Sequence, residues 1–298
     1  MTSRERVRTG QLLDRLRRLP ARRVLHVGGG DQASDLVRDL AAALAGRCSR
    51  YDVVDAASCA DGYPPGRYDL ILLDLAPPRR AAAGTVDPVH AAASALGRVK
   101  PDGAVFVADM RDPRLERLVS WARTGRPECR HDPACWSPAA ILRALDVAAP
   151  AARVHVYPPL GPLTGPAASA GFDVVVRPPQ QAGDGRAAAR PPLPLRWGRE
   201  VLDSGQLSRL LSRRGPDRVR IVGIPLRGVV ETAADRLAEE PWVPGRRRLG
   251  AGVDRTELEA AGAEHGYLLT YTASLTGAVY HFDIVLERQP TASGQEQA

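Results

Sequence analysis

Val24-Leu25-His26-Val27-Gly28-Gly29-Gly30-Asp31 is the stretch on which the fold turns. Its opening residues, mostly apolar, read as a buried strand; three glycines then let the backbone turn sharply, and a helix-like run over 33–44 follows at once. A strand, a tight glycine turn and a helix leave backbone N–H groups and the positive end of a helix facing a crevice, where a nucleotide-like ligand fits. Glycine turns of this kind are common, so the specificity has to come from the rest of the chain.

Working outward, 33–44 places Leu36, Val37, Leu40 and Leu44 on one face and Asp35, Arg38 and Asp39 on the other, an amphipathic helix packed on a sheet and stopped by Gly46. Residues 51–54 read as a second strand with Asp55 at its end. The run 68–73 (YDLILL) does not alternate and is closed by Asp74, as expected of a strand covered on both faces at the centre of a parallel sheet. A helix over 89–99, a turn at Pro101-Asp102-Gly103 and a strand over 104–107 closed by Asp109 follow. Upstream, 10–19 has helical spacing and Pro20 ends it. Each acid alone reads as a cap or turn residue; three at corresponding strand ends beside a glycine turn point to a ligand crevice. The fold class is α/β: a Rossmann-like, doubly wound, mostly parallel sheet.

Beyond Arg111 the pattern gives helices over 113–122 and 138–145, an irregular stretch over 124–138, and late strands over 153–157 and 172–176. The proline- and glycine-rich stretch 178–195 reads as a linker between a domain over 1–177 and a small C-terminal α/β subdomain over 196–288. In that subdomain the spacing predicts helices near 199–213, 229–239 and 254–265 and strands near 219–224, 267–273 and 279–287. The polar tail 289–298 reads as disordered.

The formal charge of +7 is carried almost wholly by arginine, since Lys100 is the only lysine. The basic residues are scattered and not interleaved with aromatics, which disfavours a nucleic-acid groove. No apolar run reaches the length of a membrane span, and the basic N-terminus leads into no signal-peptide core, so the expected location is the cytoplasm. Cys48, Cys59, Cys129 and Cys135 fit reduced thiols. Cys129, His131 and Cys135 lie close together but lack a CxxC pair and a clear fourth ligand, so no metal site is expected.

Four further stretches, 99–111 (VKPDGAVFVADMR), 172–177 (FDVVVR), 220–227 (RIVGIPLR) and 252–267 (GVDRTELEAAGAEHGY) with Phe282-Asp283-Ile284-Val285, join the glycine loop in one pattern. Together they resemble class I S-adenosylmethionine-dependent methyltransferases, and among them the methyltransferase domains of nonribosomal peptide synthetases and their free-standing relatives. The C-terminal stretches are the more specific part. The chain departs from that family in its polar pocket: His26 stands in place of the acid ahead of the glycine loop, Gln32 at the third loop glycine, Asp74-Leu75-Ala76-Pro77-Pro78 in place of Asn-Ser-Val-Val-Gln-Tyr, and Leu226 in place of an asparagine.

The resemblance implies S-adenosylmethionine as cofactor, held by His26, Gly28, Gly29, Gly30, Asp55 and Asp74, with Asp55 accepting from the ribose hydroxyls. Asp74 is the candidate catalytic residue, orienting the acceptor or taking its proton. His26 is a candidate partner for the cofactor's ammonium or, alternatively, a half-buried strand-end histidine satisfied by backbone; Asp109 and Arg111 are expected to pair and brace the pocket floor. The expected acceptor is a peptide-like small molecule, free or carrier-protein-bound, methylated on nitrogen in preference to oxygen or carbon, with a synthetase module as candidate partner. The altered pocket residues leave a second class open: a protein that keeps the fold and serves as a binding or scaffolding partner in a biosynthetic assembly.

Overall fold

The computed structural model describes residues 16, 19–28, 42–44, 46–55, 59, 63–74, 87–113, 117, 120, 136–157, 171–179, 193–212, 216–225, 227, 252–273 and 281–289. The helices expected over 10–19 and 33–44 lie mostly outside this set, as do Gly29, Gly30, Cys129, His131, Cys135, the helix near 229–239 and the tail. The chain divides into two compact units, Met1–Asp184 and Gly185–Ala298.

The first unit is built on a six-stranded sheet: β1 (Arg23–Gly28), β2 (Arg50–Asp55), β3 (Tyr68–Asp74), β4 (Val99–Arg111), β5 (Arg153–Tyr157) and β6 (Gly171–Arg177), in the order β2-β1-β3-β4-β6-β5. β2, β1, β3 and β4 run parallel. β6 is antiparallel to both its neighbours, β4 and β5. Every residue of β3 is buried, because apolar layers cover both sides of the sheet. Alternation along β1 sends Leu25 and Val27 into one layer, with Ile71, Val105 and Val107, and Val24 into the other, with Leu70, Leu72 and Phe106.

Helix α1 (Pro88–Leu96) starts where the Asp87 carboxylate accepts from the Val89 N–H at 2.9 Å and Pro88 supplies a preset φ. It is shorter than the 89–99 expected, because Val99 already pairs with Tyr68 as the first residue of β4. The turn expected at Pro101-Asp102-Gly103 is instead a bulge inside β4: the register jumps from Tyr68↔Val99 to Leu70↔Ala104. Nor does Asp109 close the strand. β4 runs on to Arg111 and pairs with β6 through Met110↔Phe172 and Arg111↔Gly171.

Gly103 makes the bulge possible. A Cβ there would stand 2.6 Å from both the Asp69 carbonyl oxygen and Val99 Cγ1. The first of these is backbone in the central strand and cannot give way. Gly103→Ala therefore destabilises the unit by about 1–3 kcal/mol, read as a lower urea midpoint with unchanged m. The same corner holds the buried Asp69, whose carboxylate accepts from Lys100 Nζ and from the Arg23 backbone N–H, both at 2.7 Å.

Helix α2 (Pro138–Ala148) is capped by Ser137 Oγ accepting from the Ala140 N–H at 3.2 Å, and buries Ile141 and Leu145. It extends past the expected end at 145, and the hairpin partners β5 and β6 match the expected late strands.

The second unit has a four-stranded sheet in the order β7-β8-β10-β9, made of β7 (Leu193–Arg196), β8 (Arg218–Pro225), β9 (Tyr267–Ala273) and β10 (His281–Arg288). Helices α3 (Ser204–Ser212) and α4 (Arg255–Glu264) accompany it, α4 capped by Asp254 accepting from the Thr256 N–H at 2.9 Å. The reading of 178–195 as linker is corrected at its end, since Leu193 already pairs with Val219 and Leu195 with Ile221. Prolines hid this strand. Pro194 is tolerated because β7 lies at the sheet's edge.

Candidate functional site

From β2 the chain crosses back over β1 to β3, so the strand order reverses at β1. In an open α/β sheet this switch point opens a crevice at the carboxyl ends of the strands. At that end the register lines up one row of residues: Gly28 is level with Asp55 on one side and with Asp74 on the other. Neighbours at one register in parallel strands face the same side of the sheet, so the two carboxylates flank a residue with no side chain.

The two acids differ in setting. Asp55 is exposed, whereas Asp74 is buried, with 7% of its surface accessible. The Asp55 charge reaches Cys59, whose thiol is pushed up first by burial and then by that carboxylate. The Asp74 charge reaches Tyr51, whose phenol is raised by burial and further by Cys48 and Asp74.

Beneath the row lies His26. It sits in the body of β1, in register with Val53 and Leu72, and has 0% of its surface exposed. Its Nδ1 shares a 2.8 Å hydrogen bond with the Tyr51 hydroxyl, and the two rings meet edge-on with centroids 6.1 Å apart. This corrects the picture of a half-buried histidine at a strand end satisfied by backbone. The imidazole is sealed, and a phenol is one of its partners. With no exposed surface, it supports the Gly28 row from below.

Of the expected site residues, then, the structure brings Gly28, Asp55 and Asp74 together and places His26 one layer under them. Gly29 and Gly30 lie outside the described residues, as do the side chains of Asp109 and Arg111. Two buried carboxylates at the same end of the sheet escaped sequence reasoning: Asp112, just past β4, and Asp173, near the start of β6 and opposite Tyr157. The signal for Asp173 was present, a lone charge inside the apolar run FDVVV. Tyr51 carried none, because its link to His26 joins residues far apart in sequence. Among the described residues no group of three or more His, Cys, Asp or Glu side chains is arranged to hold a metal ion. Nor is any described helix long and apolar enough to cross a membrane.

No protein-family model matches the chain, and no curated protein matches it in sequence. Among solved structures it is similar to cofactor-bound Rv0187 from MTB, at 16% identity over 60% of this chain and 82% of that one, with a TM-score of 0.32. It is similar to an O-methyltransferase family protein from Burkholderia thailandensis, at 15% identity over 59% of this chain and 57% of that one, TM-score 0.31. A third is a SAM-dependent methyltransferase from Thermotoga maritima, described as a possible histamine N-methyltransferase, at 16% identity over 58% of this chain and 90% of that one, TM-score 0.34. The fold itself is carried by the strand order and register of the sheet, a doubly wound α/β architecture with β6 inserted antiparallel.

Proposed function

We propose that the chain is an S-adenosylmethionine-dependent methyltransferase of secondary metabolism, working in the cytoplasm. Its acceptor is a peptide-like or carrier-bound small molecule, methylated on nitrogen in preference to oxygen or carbon. The observation that carries this reading is the row Asp55–Gly28–Asp74 at the switch point of the sheet. The donor set suits the cofactor. A bare glycine permits close approach of a ligand to main chain, an exposed carboxylate suits a vicinal diol, and two acids suit a ligand that carries positive charge.

When bound, S-adenosylmethionine supplies a methyl group already activated on a sulfonium, so the protein's part is alignment and proton removal. Asp55 accepts hydrogen bonds from the ribose hydroxyls. Asp74, buried at the next strand end, orients the acceptor amine and takes its proton on a carboxylate oxygen. The Tyr51–His26 pair holds the floor beneath Gly28 rigid.

A second reading, a scaffolding protein that keeps the fold without methyl transfer, is favoured by His26, a sealed imidazole where the resembling family has an acid. Calorimetric titration with S-adenosylhomocysteine separates the two. The methyltransferase reading predicts binding that Asp55→Ala weakens about 10- to 100-fold, the usual worth of a hydrogen bond to a charged group. Absence of binding to the parent protein at millimolar ligand sustains the scaffold instead.

A further inference from the structure

The six-stranded sheet is polarised along its strands. Asp55 and Asp74 stand at the rim where β2 and β3 end. The opposite rim carries an arginine on every strand: Arg23 opens β1, Arg50 opens β2, Arg67 and Arg98 directly precede β3 and β4, and Arg153 opens β5. Arg177 closes β6, which runs the other way, so it falls at the same rim, in register with Arg153. The register ties the rest together: Arg23 pairs with Arg50, and the Arg98 carbonyl accepts from the Tyr68 N–H beside Arg67. At about 4.8 Å between strands, six strands make a row roughly 24 Å long.

Arg50 pairs with Asp52 at 2.9 Å, and Arg23 lies over the Tyr68 ring, 4.9 Å from its centroid. The buried acid nearest the rim, Asp69, is already taken by Lys100. Arg67 and Arg98 are exposed and make no ion pair among the described residues. Arg177 is pushed below the ordinary arginine range by burial, drawn back by Tyr157 and pushed further down by Arg153.

We propose that this arginine rim is a docking surface for an acidic protein segment, a helix presenting carboxylates along one face. A helix of about 16 residues spans the row at 1.5 Å per residue. Its carboxylates at i, i+3 and i+4 recur every 5–6 Å, close to the spacing of the strands. The planar fork of arginine takes carboxylates in pairs. Nucleic acid is the weaker fit, because among the described residues Tyr68 is buried and the Tyr51 hydroxyl is engaged by His26, leaving bases little to stack on. A partner seated here leaves the Gly28 row clear, roughly 20 Å away at the other end of a six-residue strand.

Fluorescence anisotropy at low salt tests this with a labelled helical Ala/Glu peptide of about 16 residues, a Lys-for-Glu version of it and a single-stranded DNA of equal charge. The Glu peptide binds in preference to both, and Arg67→Glu/Arg98→Glu weakens it at least about tenfold, with circular dichroism and S-adenosylhomocysteine titration unchanged. Should the double variant melt early, Arg98→Gln alone gives the same ordering with a smaller loss. The proposal is overturned if the Glu peptide does not bind, if folded variants bind it as well as the parent does, or if DNA binds more tightly than the peptide. Because the titration reads the opposite rim, failure of the docking surface and failure of the methyltransferase reading give different results.

Discussion

Asp74→Asn lowers kcat for methyl transfer by about 10²–10⁴-fold, the usual contribution of a placed general base. Asparagine keeps the shape of the side chain and its capacity to accept a hydrogen bond, but it takes no proton at neutral pH. Asp74 ends β3 in register with Gly28, is buried, and lies near enough for its charge to be felt at Tyr51. Loss of the base therefore appears in kcat, while S-adenosylhomocysteine affinity moves much less, because alignment survives. The measurement is single-turnover transfer of labelled methyl to a peptide amine that the parent protein methylates, with both proteins saturated in cofactor. A variant with parental kcat removes Asp74 from the chemistry.

The largest stability effect is expected in the second unit. Asp283 has 0% of its surface exposed, and its carboxylate accepts from Arg220 Nη2 at 3.0 Å and from the Gly223 N–H at 2.9 Å. The pairing of β8 with β10 is irregular between Phe282 and Ile284, and Gly223 has φ +77, a left-handed conformation that favours glycine. Asp283 is therefore the stitch across a bulge, meeting a backbone N–H and a guanidinium at once. Asp283→Ala leaves both unmet and costs about 3–5 kcal/mol. Asp283→Asn keeps an acceptor for Gly223 but sets an amide NH2 where an oxygen met Arg220, so its cost lies below that of Asp283→Ala. Urea denaturation followed by a probe in the second unit reads the difference; equal stability of Asp283→Ala and parent contradicts the stitch.

These two residues also show what the sequence discloses. RIVGIPLR and Phe282-Asp283-Ile284-Val285 are separate stretches of the resemblance, and in the fold Gly223 and Asp283 of those stretches bond to each other. The motif is thus a structural clamp. The parallel core was legible because β3 is apolar without alternation, a pattern that a strand buried on both faces imposes. So were Asp55 and Asp74, since a charge at the end of an apolar run marks a strand terminus.

What stayed hidden depends on neighbours distant in sequence. Pro101-Asp102-Gly103 has the composition of a turn, and only the adjacent β3 makes it a bulge. β7 is short, contains Pro194 and follows other prolines, so its pairing with β8 leaves no local trace. His26 could be read as a ligand contact because periodicity does not reveal that Tyr51, on the next strand, reaches it. The arginine rim was dispersed in the sequence as scattered charge, and it becomes a row only when six strands are laid side by side.

The central claim is that the crevice at Gly28 receives S-adenosylmethionine with Asp55 on its ribose. A crystal structure of the S-adenosylhomocysteine complex tests it most directly. The account predicts the ligand over Gly28, its ribose hydroxyls donating to the Asp55 carboxylate and its sulfur facing the Asp74 side. Ligand bound elsewhere with Asp55 uninvolved, or a crevice still empty at saturating ligand, contradicts it.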